Sequence, residues 1–197
     1  PKEFFPIKGS KKDSLTIGYL GSMDTAYSFE EIVKFFHNFL KFHNNSTLKI
    51  LSKLDRENLY ALLRKYKIPR SQVVMNYALR EELNIEINSF DLVVFYLKEN
   101  YSVIASMPTK IGEALSCGKP VVCNAFNRDI SELIQNNHIG YLYNFKDEYR
   151  ESTHKKIMSL VNSETVESNC IKLAKKEFDL ISAAQNYLDI YKQAMEP

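Results

Sequence analysis

Apolar residues recur along the chain in short runs separated by longer stretches with helical spacing. Leu15 to Leu20 is a compact apolar run that closes at Gly21-Ser22, a strand followed by a turn. Ser28 with Glu31 three residues on forms a capping-box pattern, and Ile32, Phe35, Phe36, Phe39 and Leu40 follow on one helical face. Leu48 to Leu51 predicts a second strand. Asp55 is placed to cap a helix carrying Leu59, Leu62, Leu63 and Tyr66, which Pro69 stops. Gln72 to Met75 predicts a third strand, and the type of the segment holding Leu83, Ile85 and Ile87 stays open. Leu92 to Tyr96 predicts the most buried strand, Lys98 to Met107 a loop, and 109–117 a short helix that Gly118 ends. Strands at 120–123 and 141–143 flank a helix over 129–135. Helices over 147–161, 164–176 and 180–194 close the chain.

Strands that alternate with single helices require parallel crossovers. Their lack of clean polar alternation fits a sheet covered on both faces. The pattern therefore predicts an α/β fold: a doubly wound, mostly parallel, six-stranded Rossmann-like sheet in the order 3-2-1-4-5-6, with C-terminal helices. Ligands of such sheets bind beyond the carboxyl ends of the strands where the order reverses, here strands one and four. The loops at that point are Gly21 to Tyr27 and Lys98 to Thr109.

Composition narrows the function classes. The 197 residues suit one domain, with 45% hydrophobic and 25% charged residues, and Lys+Arg 26 nearly balances Asp+Glu 24. The charges are interspersed, without the basic stripe of a nucleic-acid binder, so no nucleic-acid partner is expected. Three cysteines in no framework spacing suggest reduced thiols and a cytoplasmic protein, and four scattered histidines do not suggest a metal site. Asn45-Ser46-Thr47 matches a glycosylation acceptor by chance in that setting. Residues 1–13 are polar and aperiodic and read as a linker, leaving 14–197 as the domain, one half of a two-domain protein.

The candidate chemistry gathers around 106–124. A helix start presents unpaired N–H groups and a positive dipole end, which suit an anion. Ser106, Thr109 and Lys110 sit there, offering hydroxyls and a compact positive charge where a first-turn lysine opposes the dipole. Glu113 lies one turn in among Ile111, Ala114 and Leu115; a carboxylate buried there needs partners, which sugar hydroxyls or an internal salt bridge would supply. Gly21 and Ser22 allow close backbone approach to a pyrophosphate. Arg80 is placed for a base or phosphate, and Arg128 for a phosphate. Asn124 and Asn127 flank the carboxyl end of strand five, and Asp129 is a candidate helix cap. Tyr19 and Tyr101 are candidates for stacking on a base or sugar, against a plain packing role. Neither Gly-x-Gly-x-x-Gly nor a Walker loop is present, and Lys53 stands where a nicotinamide site places an acid. Phosphate and sugar hydroxyls held together describe a nucleotide or a nucleotide-sugar.

At these residues the chain resembles the C-terminal, nucleotide-sugar-binding half of retaining group 1 glycosyltransferases with two facing Rossmann-like domains (GT-B type), in the version of bacterial surface-polysaccharide assembly. The resemblance rests chiefly on Ser106-Met-Pro-Thr-Lys-Ile-Gly-Glu-Ala-Leu-Ser-Cys-Gly-Lys-Pro-Val-Val122, with Gly18-Tyr-Leu-Gly-Ser22, Ser89-Phe-Asp91 and Ile139-Gly140-Tyr-Leu142 in the family's order. It implies a hexosyl-type transfer from a nucleoside diphosphate sugar, as donor substrate, to the hydroxyl of a glycan or lipid-linked acceptor, with retention. No further cofactor and no metal are implied, and no Asp-x-Asp motif is present. By resemblance Gly21 and Ser22 face the donor diphosphate, Thr109 and Lys110 lie by the phosphates, and Glu113 binds the ribose. Many relatives carry a glutamate near the transferred sugar where this chain has Ala105, and a basic residue after strand one where it has Met23-Asp24-Thr25. Ser106 and Lys110 are the compensating candidates. The missing N-terminal domain would hold the acceptor, so the chain alone is expected to bind donor and to be inactive. The full enzyme would sit in the cytoplasm or peripherally at the cytoplasmic face of the membrane. Two alternatives are a non-catalytic nucleotide-binding module and a nucleotide-sugar epimerase of the same architecture.

Overall fold

The computed structural model describes residues 3–7, 14–21, 27–53, 56–104, 106–161 and 163–195. Six strands form one sheet: β1 (Leu15–Leu20), β2 (Ser46–Leu51), β3 (Val73–Asn76), β4 (Leu92–Val94), β5 (Val121–Cys123) and β6 (Gly140–Leu142). Their order is β3-β2-β1-β4-β5-β6, as the pattern predicts, and every neighbouring pair is parallel. Nine helices lie among the described residues: α1 (Phe29–Leu40), α2 (Arg56–Lys65), α3 (Leu83–Asn88), α4 (Tyr101–Ile104), α5 (Thr109–Ser116), α6 (Arg128–Asn137), α7 (Glu151–Val161), α8 (Glu164–Glu177) and α9 (Leu180–Met195).

Both faces of the sheet are buried, and each carries its own core. Leu92, Val94 and Val122 point to the face covered by α1, α2 and α7, where Phe35, Phe36 and Phe39 pack with Tyr143, Phe145 and Tyr149. Val93, Val121 and Cys123 point to the other face, against Ile87 of α3, Ile111 and Leu115 of α5, Ile130 of α6 and Cys170 of α8. Burial on both sides is why these strands show no polar alternation. Burial also pushes the thiols of Cys117, Cys123 and Cys170 up to about 12, so they are inert core residues.

The structure refines the expected elements at several points. The undecided segment is α3, and the loop before α5 contains the short helix α4. Ser28 precedes α1 but its side chain makes no capping bond; its N–H donates to the Tyr96 carbonyl instead, so the expected capping box does not form. Asn127, not Asp129, caps α6, its Oδ1 accepting from the Ile130 N–H at 3.0 Å. Asp91, just before β4, accepts from the Thr16 N–H at 2.7 Å. Tyr19 is fully buried, against Phe29 and Tyr27, which excludes it from stacking on a ligand. Residues 3–7, within the stretch read as linker, dock on the domain: Phe4 is buried, and Asn84 and Asn88 of α3 take up backbone groups of Phe5 and Ile7. Asp55 lies outside the described residues. Among the described residues no helix is long and apolar enough to cross a membrane.

Gly118 ends α5 as expected. Its φ is +73°, its N–H bonds the Leu115 carbonyl at 2.9 Å, and the Lys119 N–H reaches back to the Ala114 carbonyl at 3.0 Å. These two bonds make a Schellman cap, which turns the chain from α5 into β5. A Cβ there would also meet Glu167 Cγ at 2.7 Å. Gly118→Ala should therefore cost about 1–2 kcal/mol from the left-handed backbone alone, read as a lower urea midpoint at unchanged slope.

Candidate functional site

The carboxyl ends of β1, β2 and β3 open onto a crevice of about 320 Å3. Leu20 and Gly21 form its floor, Ser52 and Lys53 one side, Tyr77 and Ala78 a second, and Lys110 and Glu113 of α5 face them. Lys53 Nζ sits 4.9 Å from the centre of the Tyr77 ring. Two lysines, a carboxylate and an exposed aromatic ring thus converge where strand order reverses.

Gly21 permits this geometry. Its φ is +154°, and a Cβ on it would come 3.0 Å from Lys110 Nζ and 3.2 Å from the Tyr19 hydroxyl. Bare backbone at the end of β1 lets the Lys110 ammonium approach the strand. That ammonium lies 5.1 Å from the centre of the Tyr27 ring, and among the described residues no carboxylate is within ion-pair distance of it. Burial holds its pKa below the ordinary lysine value, with Glu113 acting weakly in the opposite direction.

Glu113 is mostly buried, its side chain 13% exposed, and its Oε1 takes the Arg80 guanidinium at 2.5 Å. The same guanidinium bonds Glu3 Oε2 at 3.0 and 3.2 Å and lies over the Phe4 ring. Hydrogen bonding to Glu113 is the main reason the Arg80 pKa is raised. Glu113 also lines a second hollow of about 530 Å3, between the N-terminal segment, α5 and the α8–α9 junction.

Two asparagines build the wall from which α5 springs. Asn124 bonds both backbone groups of Leu97 at 2.9 Å. Asn127 donates to the carbonyls of Val103, Ile104 and Ser106 while capping α6. Both therefore satisfy backbone groups that the irregular β4–α5 connection leaves without sheet or helix partners.

Of the residues singled out from sequence, Gly21, Lys110 and Glu113 come together in the crevice, and Arg80 joins them through Glu113 rather than by facing the space a base would fill. Thr109 is exposed and lines the second hollow. The Ser106 hydroxyl donates to the Ser102 carbonyl. Arg128 is almost wholly exposed and pairs with Glu132 one turn along α6, and Tyr101 is also exposed. Ser22, Met23 to Thr25 and Ala105 lie outside the described residues. Sequence reasoning missed the Glu3–Arg80–Glu113 chain and gave no ligand role to Lys53; it sets the base against the loop Asn76 to Arg80 through backbone groups, without a role for the Tyr77 ring. An aromatic just past a strand end was the available signal for Tyr77. Among the described residues no group of three or more His, Cys, Asp and Glu converges as a metal site would.

Residues 2–177 match the family model of the glycosyl transferases group 1. The chain belongs to this family. No curated protein matches the sequence significantly. Among solved structures, this glycosyltransferase chain is similar to sucrose-phosphate synthase from Thermosynechococcus elongatus (TM-score 0.78, 17% identity, 98% of this chain and 50% of that one). It is similar also to Anabaena HepE in complex with UDP-glucose (TM-score 0.72, 15% identity, 92% and 49%). A third is a TarM mutant from S. aureus in complex with fondaparinux, α-GlcNAc-glycerol and UDP (TM-score 0.70, 17% identity, 95% and 38%). At such identities the likeness establishes the two-domain transferases' Rossmann-like fold, and the chain spans half or less of each of these proteins.

The desolvated Lys110 yields a stability prediction. Its pKa is lowered in the fold, so the penalty for charging it is present in full below that pKa and fades as pH climbs to the ordinary lysine value near ~10.4. Lys110→Met should melt no lower than the unaltered chain at neutral pH, and should flatten its alkaline stability gain between those two values. A clearly lower melting temperature at neutral pH would make Lys110 a structural residue.

Proposed function

We propose that this glycosyltransferase domain is the donor-binding half of an enzyme that moves a sugar from a nucleoside diphosphate sugar to an acceptor hydroxyl, with the anomeric configuration kept. The observation that carries the reading is the convergence of Gly21, Lys110 and Glu113 on one crevice at the strand reversal. Lys110 and the bare backbone at Gly21 suit a diphosphate, and Glu113 suits ribose hydroxyls. Tyr77 and Ala78 are then the surface for the base. UDP and UDP-glucose in the HepE and TarM complexes support a nucleotide-sugar donor for this chain.

In this reading the hard part of the reaction is negative charge appearing on the departing diphosphate. A half-desolvated ammonium held near that charge stabilises it more than an exposed one, because little water competes for it. Donors from the start of α5 add to it. The acceptor, a glycan or a lipid-linked sugar, would be held by an N-terminal domain, which accords with this chain covering 38% of the TarM chain and 50% of the sucrose-phosphate synthase chain. The apolar side chains that α9 exposes, Leu180, Ile181, Leu188 and Ile190 among them, offer surface for that domain. On its own the chain binds donor without efficient turnover.

Calorimetric titration with UDP and GDP should show binding of at least one. Glu113→Gln should weaken it about tenfold or more, as loss of hydrogen bonds to a charged group does, with a much smaller loss of thermal stability. Equal loss of both would assign Glu113 to structure alone. A non-catalytic nucleotide-binding module is the second reading, favoured by Ala105 where relatives carry a glutamate. Joining the chain to its native N-terminal half should restore sugar transfer; tight nucleotide binding without transfer from any donor would favour the module.

A further inference from the structure

Arg80 holds two carboxylates at once. Its Nη1 bonds Glu113 Oε1, and its Nε and Nη2 both bond Glu3 Oε2. Glu113 stands at the wall of the donor crevice, whereas Glu3 belongs to the N-terminal segment and lies outside that crevice. The segment is anchored along α3. The Phe5 N–H donates to Asn84 Oδ1 at 3.0 Å, the Ile7 N–H donates to Asn88 Oδ1 at 2.7 Å, and Asn88 Nδ2 donates to the Phe5 carbonyl at 2.9 Å. Phe4 is buried beneath the guanidinium, 4.7 Å from its carbon. A continuous run of contacts therefore leads from the crevice wall to the backbone of residues 3–7.

We propose that Arg80 is a positioning residue. It sets the Glu113 carboxylate for the donor's ribose and couples that carboxylate to the docked N-terminal segment through Glu3. This rests on the donor-site reading above.

Glu113 is largely buried and Arg80 is half-exposed, so the guanidinium brings both a hydrogen bond and a compensating charge to a carboxylate that water reaches poorly. A carboxylate accepts about four hydrogen bonds, so one contact with Arg80 leaves Glu113 acceptor capacity for two hydroxyls. Lys110 is the other cation near Glu113, but it faces Gly21 and Tyr27. A planar fork can hold two carboxylates in fixed directions, which a lysine's point charge does not do. Glu3 with Arg80 alone is an exposed pair of little worth. Its consequence is directional: Glu3 fixes the guanidinium, and the guanidinium fixes Glu113. By linkage, a ribose that tightens Glu113 also tightens the segment.

The test uses the 197-residue chain, titrated with UDP and GDP, with Arg80→Ala, Glu3→Gln and the double variant. Arg80→Ala should weaken the bound nucleotide about tenfold and Glu3→Gln about two- to fivefold. Glu3→Gln should have no further effect once Arg80 is gone. Nucleotide should slow hydrogen exchange at the Phe5 and Ile7 amides of the unaltered chain, and Glu113→Gln without nucleotide should speed it. Nucleotide bound by both single variants at unaltered affinity overturns the proposal, as does unchanged exchange at Phe5 and Ile7 in Glu113→Gln. Absence of binding by the unaltered chain to either nucleotide instead overturns the donor-site reading, and with it the ribose part of this proposal. The exchange comparison then decides the Glu113-to-segment coupling alone.

Discussion

All six strands run the same way, and the placement of everything chemical follows from that. A parallel strand must be followed by a crossover, so each strand's carboxyl end feeds a loop on the same rim of the sheet. After β3 the chain crosses to the far side of β1 to lay down β4, and loops on either side of that step diverge. The crevice lined by Gly21, Lys53, Lys110 and Glu113 is the space this divergence leaves. Neither face of the sheet offers an alternative, since helices cover both with aliphatic and aromatic side chains.

Opening a crevice at that rim creates a backbone problem. The β4–α5 connection is not paired into the sheet, yet it borders the core, so its carbonyls need partners. Asn124 and Asn127 supply them from the β5–α6 side, and Asn127 caps α6 with its remaining oxygen. The start of α5, and hence Lys110, is held in place by these side-chain amides. Charge is managed in a similar way. Glu113 is compensated by Arg80, whereas Lys110 is left half-buried beside an aromatic ring, with its charged form disfavoured. One charge is thus paired within the fold, whereas among the described residues the other has no carboxylate at ion-pair distance.

What could be read from the sequence divides along the range of the interactions. The strand order, the two covered faces, the Gly118 stop and the placing of Lys110 and Glu113 on one short helix all follow from local pattern and parallel-sheet rules. The asparagines did not reveal their role, because their partners lie 21 to 27 residues away and involve backbone rather than a recognisable motif. Arg80 was read as a ligand contact for the same reason: Glu113 is 33 positions distant and Glu3 is 77. The polar, aperiodic start of the chain suggested a linker, since a segment that adds no strand or helix has no period to betray it. Its anchors are one buried ring, Phe4, and hydrogen bonds to asparagines about 80 positions away, none of which makes a local pattern. For Tyr19 the abundance of aromatic residues already favours packing over stacking, and the fold buries it against Phe29 and Tyr27.

Two features remain that the domain's own packing does not use. Along α9, Leu188, Ile190 and Tyr191 are more than half exposed, whereas α8 before it buries Val166, Cys170, Leu173 and Ala174 against the core. The change occurs at Phe178–Leu180, beside the second hollow, which the N-terminal segment also borders. The N-terminal segment and the start of α9 therefore meet on one side of Glu113, with the crevice on the other. That carboxylate borders both hollows, so a change at either one reaches it. Arg80 spans Glu113 and Glu3, its guanidinium bonded to the first through one nitrogen and to the second through the others.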